Sequence, residues 1–453
     1  MSMIDRVSRV PVLCFGSPVY WEREEALRAA CREVVSWLSA EEEGRSSPRP
    51  EAVLIREESD LLRWRAERSR RDGMVIFVAL SGGVQPLMLK AAEGRDHVVL
   101  AHAYLAQGSE RFRSLAGELM HRNAHPASTD VYACLRRQRQ GVTWASSASE
   151  VWDAMIGWQA RERMRGARIV MIGETEPWVI NSCRSPERAR GVFGCDVVPL
   201  PLEVLLDRAR SVTDEQAREH ADDWVGGAQG LVQLDQADVL AASRVYCAMD
   251  AILAEHGADG LSIACFSLIG ALDTTSCLAV STFNDRHGRL AACEGDLDAA
   301  LTMLMLKALG ATFVWVANPI IHGARTLDLV HCTAPRCACG GQQPYRLLRH
   351  HESGRGVAPE VALPTGRSVT LSRLGDDLSR VALLEGRTHA VDHLPACHTQ
   401  LRIELDAGQD AIEALLGTHL VMTYGSWAGR IEHFARFAGL ETVGSVSVSD
   451  VSC

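Results

Sequence analysis

The chain has 453 residues, a formal net charge of −10 at pH 7, 47% hydrophobic residues and 23% charged ones. That length holds two to four domains with a large core, and the acidic balance without a basic block excludes nucleic acid as an expected partner. No apolar run approaches the ~20 residues of a membrane span and no signal-peptide h-region opens the sequence, so neither a membrane nor export is expected and the setting is cytoplasmic.

The first part alternates strand and helix signals. Val12 to Phe15 reads as a strand, Glu22 to Ala40 as an amphipathic helix and Ala52 to Ile55 as a strand. A charged helix follows from about Ser59 to Arg71, and then a buried strand from Met74 to Leu80 that ends in Ser81-Gly82-Gly83. His97 to Ala101 continues the rhythm, which predicts a parallel, doubly wound sheet. The glycine turn reads as a tight βα loop. A second α/β unit begins after the helix Glu150 to Arg165. It holds strands at Ala167 to Ile172, Val192 to Pro199 and Gly260 to Cys265, with a long helix from Gln236 to Glu255. The loop Gly173 to Trp178 follows its first strand.

The stretch from Ser276 to Pro335 organises the rest. An apolar run, Cys277 to Phe283, stops at Asn284-Asp285, and Gly288 closes the turn. Leu290 to Cys293 then delivers Glu294-Gly295-Asp296. Asp296 is positioned to cap a helix whose Leu297, Leu301, Leu304 and Ala308 recur at helical spacing, and Gly310 stops it. Thr312 to Ala317 is β-rich, Asn318-Pro319 breaks the run, and Leu327 to Val330 delivers His331. Glu294, Asn318 and His331 therefore stand at strand ends, which in open α/β sheets converge on a ligand crevice. Taken alone, Glu294 reads as a helix cap and His331 as a hydrogen-bonded core histidine.

Beyond Pro335 the pattern changes to short alternating runs at Ser368 to Leu374, Leu378 to Glu385, Leu401 to Leu405 and Leu420 to Thr423, a small β-barrel or sandwich. A helix from Ala428 to Ala438 and an apolar step from Glu441 to Val448 end the sequence. The fold class is thus two doubly wound α/β domains, residues 1–165 and 166–340, followed by a β domain over 341–453. The 14 cysteines are scattered, many inside apolar runs, as suits small buried hydrophobes. Cys337-Ala338-Cys339, with Cys332 nearby, offers soft ligands, but its spacing is not a standard zinc pattern.

Three segments carry a family resemblance: CLAVSTFNDRHGRLAACEGDLDAALTMLML, LDLVHCTAP (Leu327 to Pro335) and GTHLVMTYG (Gly417 to Gly425). They resemble the L-fucose/L-arabinose isomerase superfamily. The resemblance implies a divalent cation, usually manganese, held by two carboxylates and one or two histidines. By position these are Glu294, His331 and His419, with Asn318 where the second carboxylate belongs. An amide oxygen ligates a hard cation but cannot serve as a proton base. Glu294 and Asn318 therefore stand at the catalytic positions. Trp178, His351 and Trp427 are weaker candidates for sugar contact, and His350 and Glu352 lie in the same polar loop. The implied activity is aldose–ketose isomerisation of a sugar-like polyol through an enediolate, in a homo-trimer or homo-hexamer. Asn318 keeps two alternatives open: an epimerase, lyase or rearrangement on a non-sugar metabolite, and a non-catalytic sugar-binding relative.

Overall fold

The structure, a computed structural model, describes residues 10–39, 52–66, 73–102, 110–285 and 289–444. Their contacts separate two compact units, one ending at Trp158 and the other beginning at Gln159. In the first unit Val12–Phe15, Ala52–Ile55, Met74–Ala79, His97–Ala101 and Gly141–Ala145 form an all-parallel sheet. Val12–Phe15 and Met74–Ala79 are buried along their whole length, as strands covered on both faces must be, and this explains their unbroken apolar sequence.

The second unit holds a four-stranded parallel sheet in the order Leu290–Cys293, Gly260–Ile263, Arg168–Ile172, Asp196–Leu200. Gln236–His256 packs on it behind a capping box made by Asp235 and Asp238. The same unit contains a closed six-stranded antiparallel barrel. Its strands run Ser368–Gly375, Leu420–Tyr424, Trp315–Gly323, Thr326–His331, Thr399–Leu405 and Arg380–His389, and the last pairs back to the first. Leu327, Leu329, Leu371, Leu384, Leu401, Ile403 and Met422 belong to the core that fills it. Glu441–Val443 adds to Arg380–His389 in parallel, and residues 445–448 of the expected apolar step lie outside the described residues.

The helix Leu297–Leu309 joins sheet to barrel. Asp296 caps it, accepting from the Ala299 N–H, and Gly310 ends it in the left-handed conformation, as its sequence predicts. It is buried on nearly every side, and the Leu374 N–H of the barrel donates to Thr302 Oγ1 at 2.9 Å. A helix apolar all round is one that packs on two layers at once.

Three local expectations change. Cys277–Asp285 is a helix, buried from Cys277 to Asn284, so its apolar run reflects burial rather than a strand; Gly288, expected to close the turn after it, lies outside the described residues. Asn318-Pro319 does not break its strand, which continues to Gly323. Pro319 lies past the last residue paired to Leu420–Tyr424, so its missing N–H forfeits no bond on that side. Finally, only Glu294 follows a strand of the parallel sheet. Asn318 and His331 sit on adjacent antiparallel barrel strands, because strand periodicity alone does not reveal strand partners. Among the described residues no helix is long and apolar enough to cross a membrane.

Candidate metal centre

Glu294 enters the site through an unusual backbone. Glu294 and Gly295 are both left-handed, with φ of 60° and 62°. The Gly295 N–H donates to Ile263 O at 2.9 Å, and the Glu176 N–H donates to Glu294 O at 2.9 Å. A Cβ on Gly295 would lie 2.7 Å from Thr175 Cα and 2.9 Å from Glu174 O, so no larger residue fits. A non-glycine residue in the left-handed region costs on the order of 1 kcal/mol or more, and such strain gathers at functional sites. Here it swings the Glu294 carboxylate towards the barrel.

His331 ends the strand Thr326–His331, and His419 immediately precedes Leu420–Tyr424. Their rings are 5.7 Å apart, and one donor atom from each of Glu294, His331 and His419 lies within 4.8 Å of the other two. All three residues are buried. Asp296 Oδ2 holds His419 Nδ1 at 2.8 Å, which leaves Nε2 facing Glu294 Oε1 at 3.4 Å. The Asp296 carboxylate also receives Arg373 Nη1 at 2.8 Å and Ser182 Oγ at 2.9 Å. Thr333 Oγ1 holds His331 Nδ1 at 2.8 Å. Each imidazole is thus fixed through its far nitrogen, the arrangement that orients a metal-binding histidine.

The electrostatics follow from burial and these partners. Burial, reinforced by His419, pushes His331 down to about 3, so it is neutral with a free lone pair. Burial also disfavours the charged form of His419, but its bonds to Asp296 and Glu294 outweigh it and raise the imidazole to about 9. Burial disfavours the Glu294 carboxylate, and the contacts with His419 more than compensate, so its carboxyl falls below its ordinary value. Asp296 is held well below the carboxylate range because Arg373 and His419 overcome its burial.

A cavity of about 380 Å³ opens in front of Glu294, lined by Trp178, Phe266, Glu294, Asn318, Glu352 and Thr418. The Trp178 indole N–H donates to Glu294 Oε2 at 2.8 Å, and its ring meets Phe266 edge to face at 5.0 Å. Asn318 Oδ1 is buried without a hydrogen-bond partner, and His419 Nε2 is buried with only the Glu294 carboxylate beside it. The carboxylate, the unsatisfied amide oxygen, the neutral His331 imidazole and, once a cation displaces its Nε2 proton, His419 form a donor set that suits a divalent cation. These residues could therefore hold a metal ion.

Of the residues expected from sequence, Glu294, His331 and His419 converge, and Asn318 and Trp178 border the same cavity. His351 is exposed and faces the ring of His398, outside that lining. Trp427 precedes the helix Ala428–Ala438 at the far end of the strand from His419. Its indole N–H donates to Tyr424 O at 2.8 Å and Arg430 lies over its ring, and it is not in the lining of that cavity. Sequence reasoning gave Asp296 only its capping role and placed Glu352, with His350 and His351, in a polar loop able to contact substrate but without a catalytic role. Cys337 and Cys339 are exposed, whereas Cys332 is buried against Cys277, in keeping with their lack of a standard zinc spacing.

No protein-family model matches the chain. Over 241 residues it is 26% identical to a sulfoquinovose isomerase of Alkalicoccus urumqiensis, a match covering 51% of this chain and 53% of that protein. The chain thus spans about half the length of the curated relative it matches, and over that half it is similar to a sugar isomerase.

Proposed function

We propose that this chain is a cation-dependent isomerase that interconverts an aldose and a ketose through an enediolate. The observation that carries the reading is the convergence of Glu294, His331 and His419 behind a cavity with a second carboxylate, Glu352, in its wall. The similarity to a sugar isomerase and the resemblance to the L-fucose/L-arabinose isomerase superfamily support it.

Glu294, His331 Nε2 and His419 Nε2 would hold the cation, with Asn318 Oδ1 as a weaker oxygen donor. A divalent cation there, manganese by the resemblance, supplies polarisation of the carbonyl and neighbouring hydroxyl of the substrate. Asp296 and Thr333 keep the two imidazoles in the required tautomers. Trp178 fixes the second oxygen of Glu294 through its indole N–H. Glu352 takes the proton from one carbon and returns it to the next, a task closed to the Asn318 amide. The lining offers two carboxylates, an amide, a hydroxyl and two aromatic rings. That combination matches the hydroxyls and apolar face of an uncharged polyol better than an anionic sugar.

Asn318, in place of a carboxylate, favours a second reading in which the same centre runs an epimerase, lyase or rearrangement reaction. Incubation with unphosphorylated aldoses and ketoses in deuterated water, with Mn²⁺ present, separates the two. Isomerisation gives a ketose or aldose product, with deuterium entering next to the carbonyl to the extent that the transferred proton exchanges with solvent. Deuterium incorporation without change of carbonyl position supports epimerisation, and neither outcome in any substrate overturns both readings. Glu352→Gln is expected to remove turnover while keeping Mn²⁺ uptake. By the same resemblance the chain assembles as a homo-trimer or homo-hexamer, which light scattering at micromolar concentration tests.

A further inference from the structure

A second donor cluster lies apart from the three residues of the metal centre. Cys277 begins the helix Cys277–Asp285, Cys332 follows the strand that ends at His331, and His350 stands in the turn between Tyr345–Leu348 and Ala358–Val361. One donor atom from each lies within 4.8 Å of the other two, and all three side chains are buried. The two thiol sulfurs are 3.2 Å apart. Cys397, in the loop before Thr399–Leu405, packs in the same buried cluster. Three elements therefore bring two thiols and an imidazole to one point, with a third thiol packed beside them.

The local chemistry suits a cation with an affinity for sulfur. His350 Nδ1 accepts the Ser353 N–H at 3.3 Å and lies 3.0 Å from Ser353 Oγ, which fixes the ring; a cation at Nε2 requires the ring proton to move to Nδ1, where Ser353 Oγ can accept it. The Cys277 thiolate would lie at a helix N-terminus, where the dipole favours negative charge. Zinc–sulfur bonds of about 2.3 Å in a tetrahedron place sulfurs roughly 3.8 Å apart, so the Cys277 and Cys332 side chains need to open only slightly. The surrounding Val330 and Ala358 exclude water. Isolated buried cysteines are ordinary small hydrophobes; two of them within reach of one imidazole, with Cys397 packed beside them, are a candidate ligand set.

We propose that Cys277, Cys332 and His350, with Cys397 turning in as the fourth ligand, form a structural site for a thiophilic divalent cation of the zinc class. The site is distinct from the oxygen-and-imidazole centre at Glu294. It ties Cys332, the residue next to His331, to the turn that carries Glu352. It thereby fixes the spacing between the floor of the cavity and its wall.

The test uses the full chain, reduced, stripped with a chelator and saturated with Mn²⁺, then titrated with Co²⁺. One Co²⁺ per chain is expected, with the intense thiolate-to-cobalt charge-transfer absorption and visible bands of a tetrahedral thiolate site, displaced by one equivalent of Zn²⁺. Cys277→Ser and His350→Gln should weaken or remove those bands, while Glu294→Gln leaves them in place. If Cys277→Ser fails to fold, Cys397→Ser provides the same readout from the periphery of the cluster. Absence of thiolate bands at any Co²⁺ ratio overturns the proposal. So do bands that survive all three ligand substitutions, or reduced wild-type protein in which Cys277 and Cys332 remain equally open to alkylation with and without Zn²⁺.

Discussion

Removal of the Asp296 charge shows how the centre is held. Asp296 and Arg373 are both fully buried and joined at 2.8 Å. Breaking such a pair by removing one partner costs about 3–5 kcal/mol. Asp296→Asn keeps the helix cap, because asparagine caps as well as aspartate. It also leaves Arg373 with a substitute: Asp298 Oδ2 lies 4.0 Å from Nη2 and has no hydrogen-bond partner. Burial, and after it the charge of Asp296, push the Asp298 carboxyl up to about 7. With the Asp296 charge gone, Asp298 ionises and takes over part of the pairing, so the loss falls near the lower bound, about 3 kcal/mol. Asp298→Asn alone should cost less than about 1 kcal/mol, a change comparable to one net hydrogen bond. The double substitution strands Arg373 and should exceed the sum of the singles by about 1–2 kcal/mol. Urea midpoints at pH 6, where the wild-type Asp298 carboxyl is mostly protonated, measure all three with an unchanged m-value. Additivity to within about 0.3 kcal/mol would refute the shared-counterion argument. Asp296→Asn should also weaken metal binding by about 10–100-fold, because His419 loses the partner that fixes its tautomer.

Three other outcomes follow from the same geometry. Asn318→Asp adds a negative charge beside Glu294 and should tighten Mn²⁺ binding about tenfold, which is 1.4 kcal/mol in a calorimetric titration. Gly295→Ala forces a Cβ against the Thr175 and Glu174 backbone; it should lower the urea midpoint by the equivalent of about 1–3 kcal/mol and impair metal uptake as Glu294 shifts. Lys307 is largely buried, and burial lowers its ammonium to about 8, against ~10.4 unfolded. The unfolded chain then binds more protons between those values, so stability should rise as pH climbs from about 8 to 10.4, by up to about 3 kcal/mol. Lys307→Met should flatten that rise.

The features legible in the sequence were those set by short-range physics. The cap at Asp296, the stop at Gly310 and the buried parallel strands depend on neighbours within a few residues. The barrel closure was not legible, because Trp315–Gly323 pairs with a strand about a hundred residues later and alternation alone names no partner. Cys277–Asp285 misled because a fully buried helix has no polar face to mark its period. In the site, Glu294, His331 and His419 were found through their resemblance to a family pattern, each being unremarkable alone. Asp296 was placed as a cap, but its hold on His419, 123 positions away, belongs to the tertiary structure. Glu352 was legible as a polar-loop residue able to contact substrate, but its place in the cavity wall comes only from folding.

The most direct test of the central claim is Mn²⁺ uptake by the full chain after chelator treatment, followed by the loss of the free-ion paramagnetic resonance signal. One tightly bound Mn²⁺ per chain is predicted. Uptake should vanish in the Glu294→Ala, His419→Ala double variant and persist in Cys277→Ser. Equal uptake by the wild type and the double variant would contradict the assignment of Glu294, His331 and His419 as a metal centre.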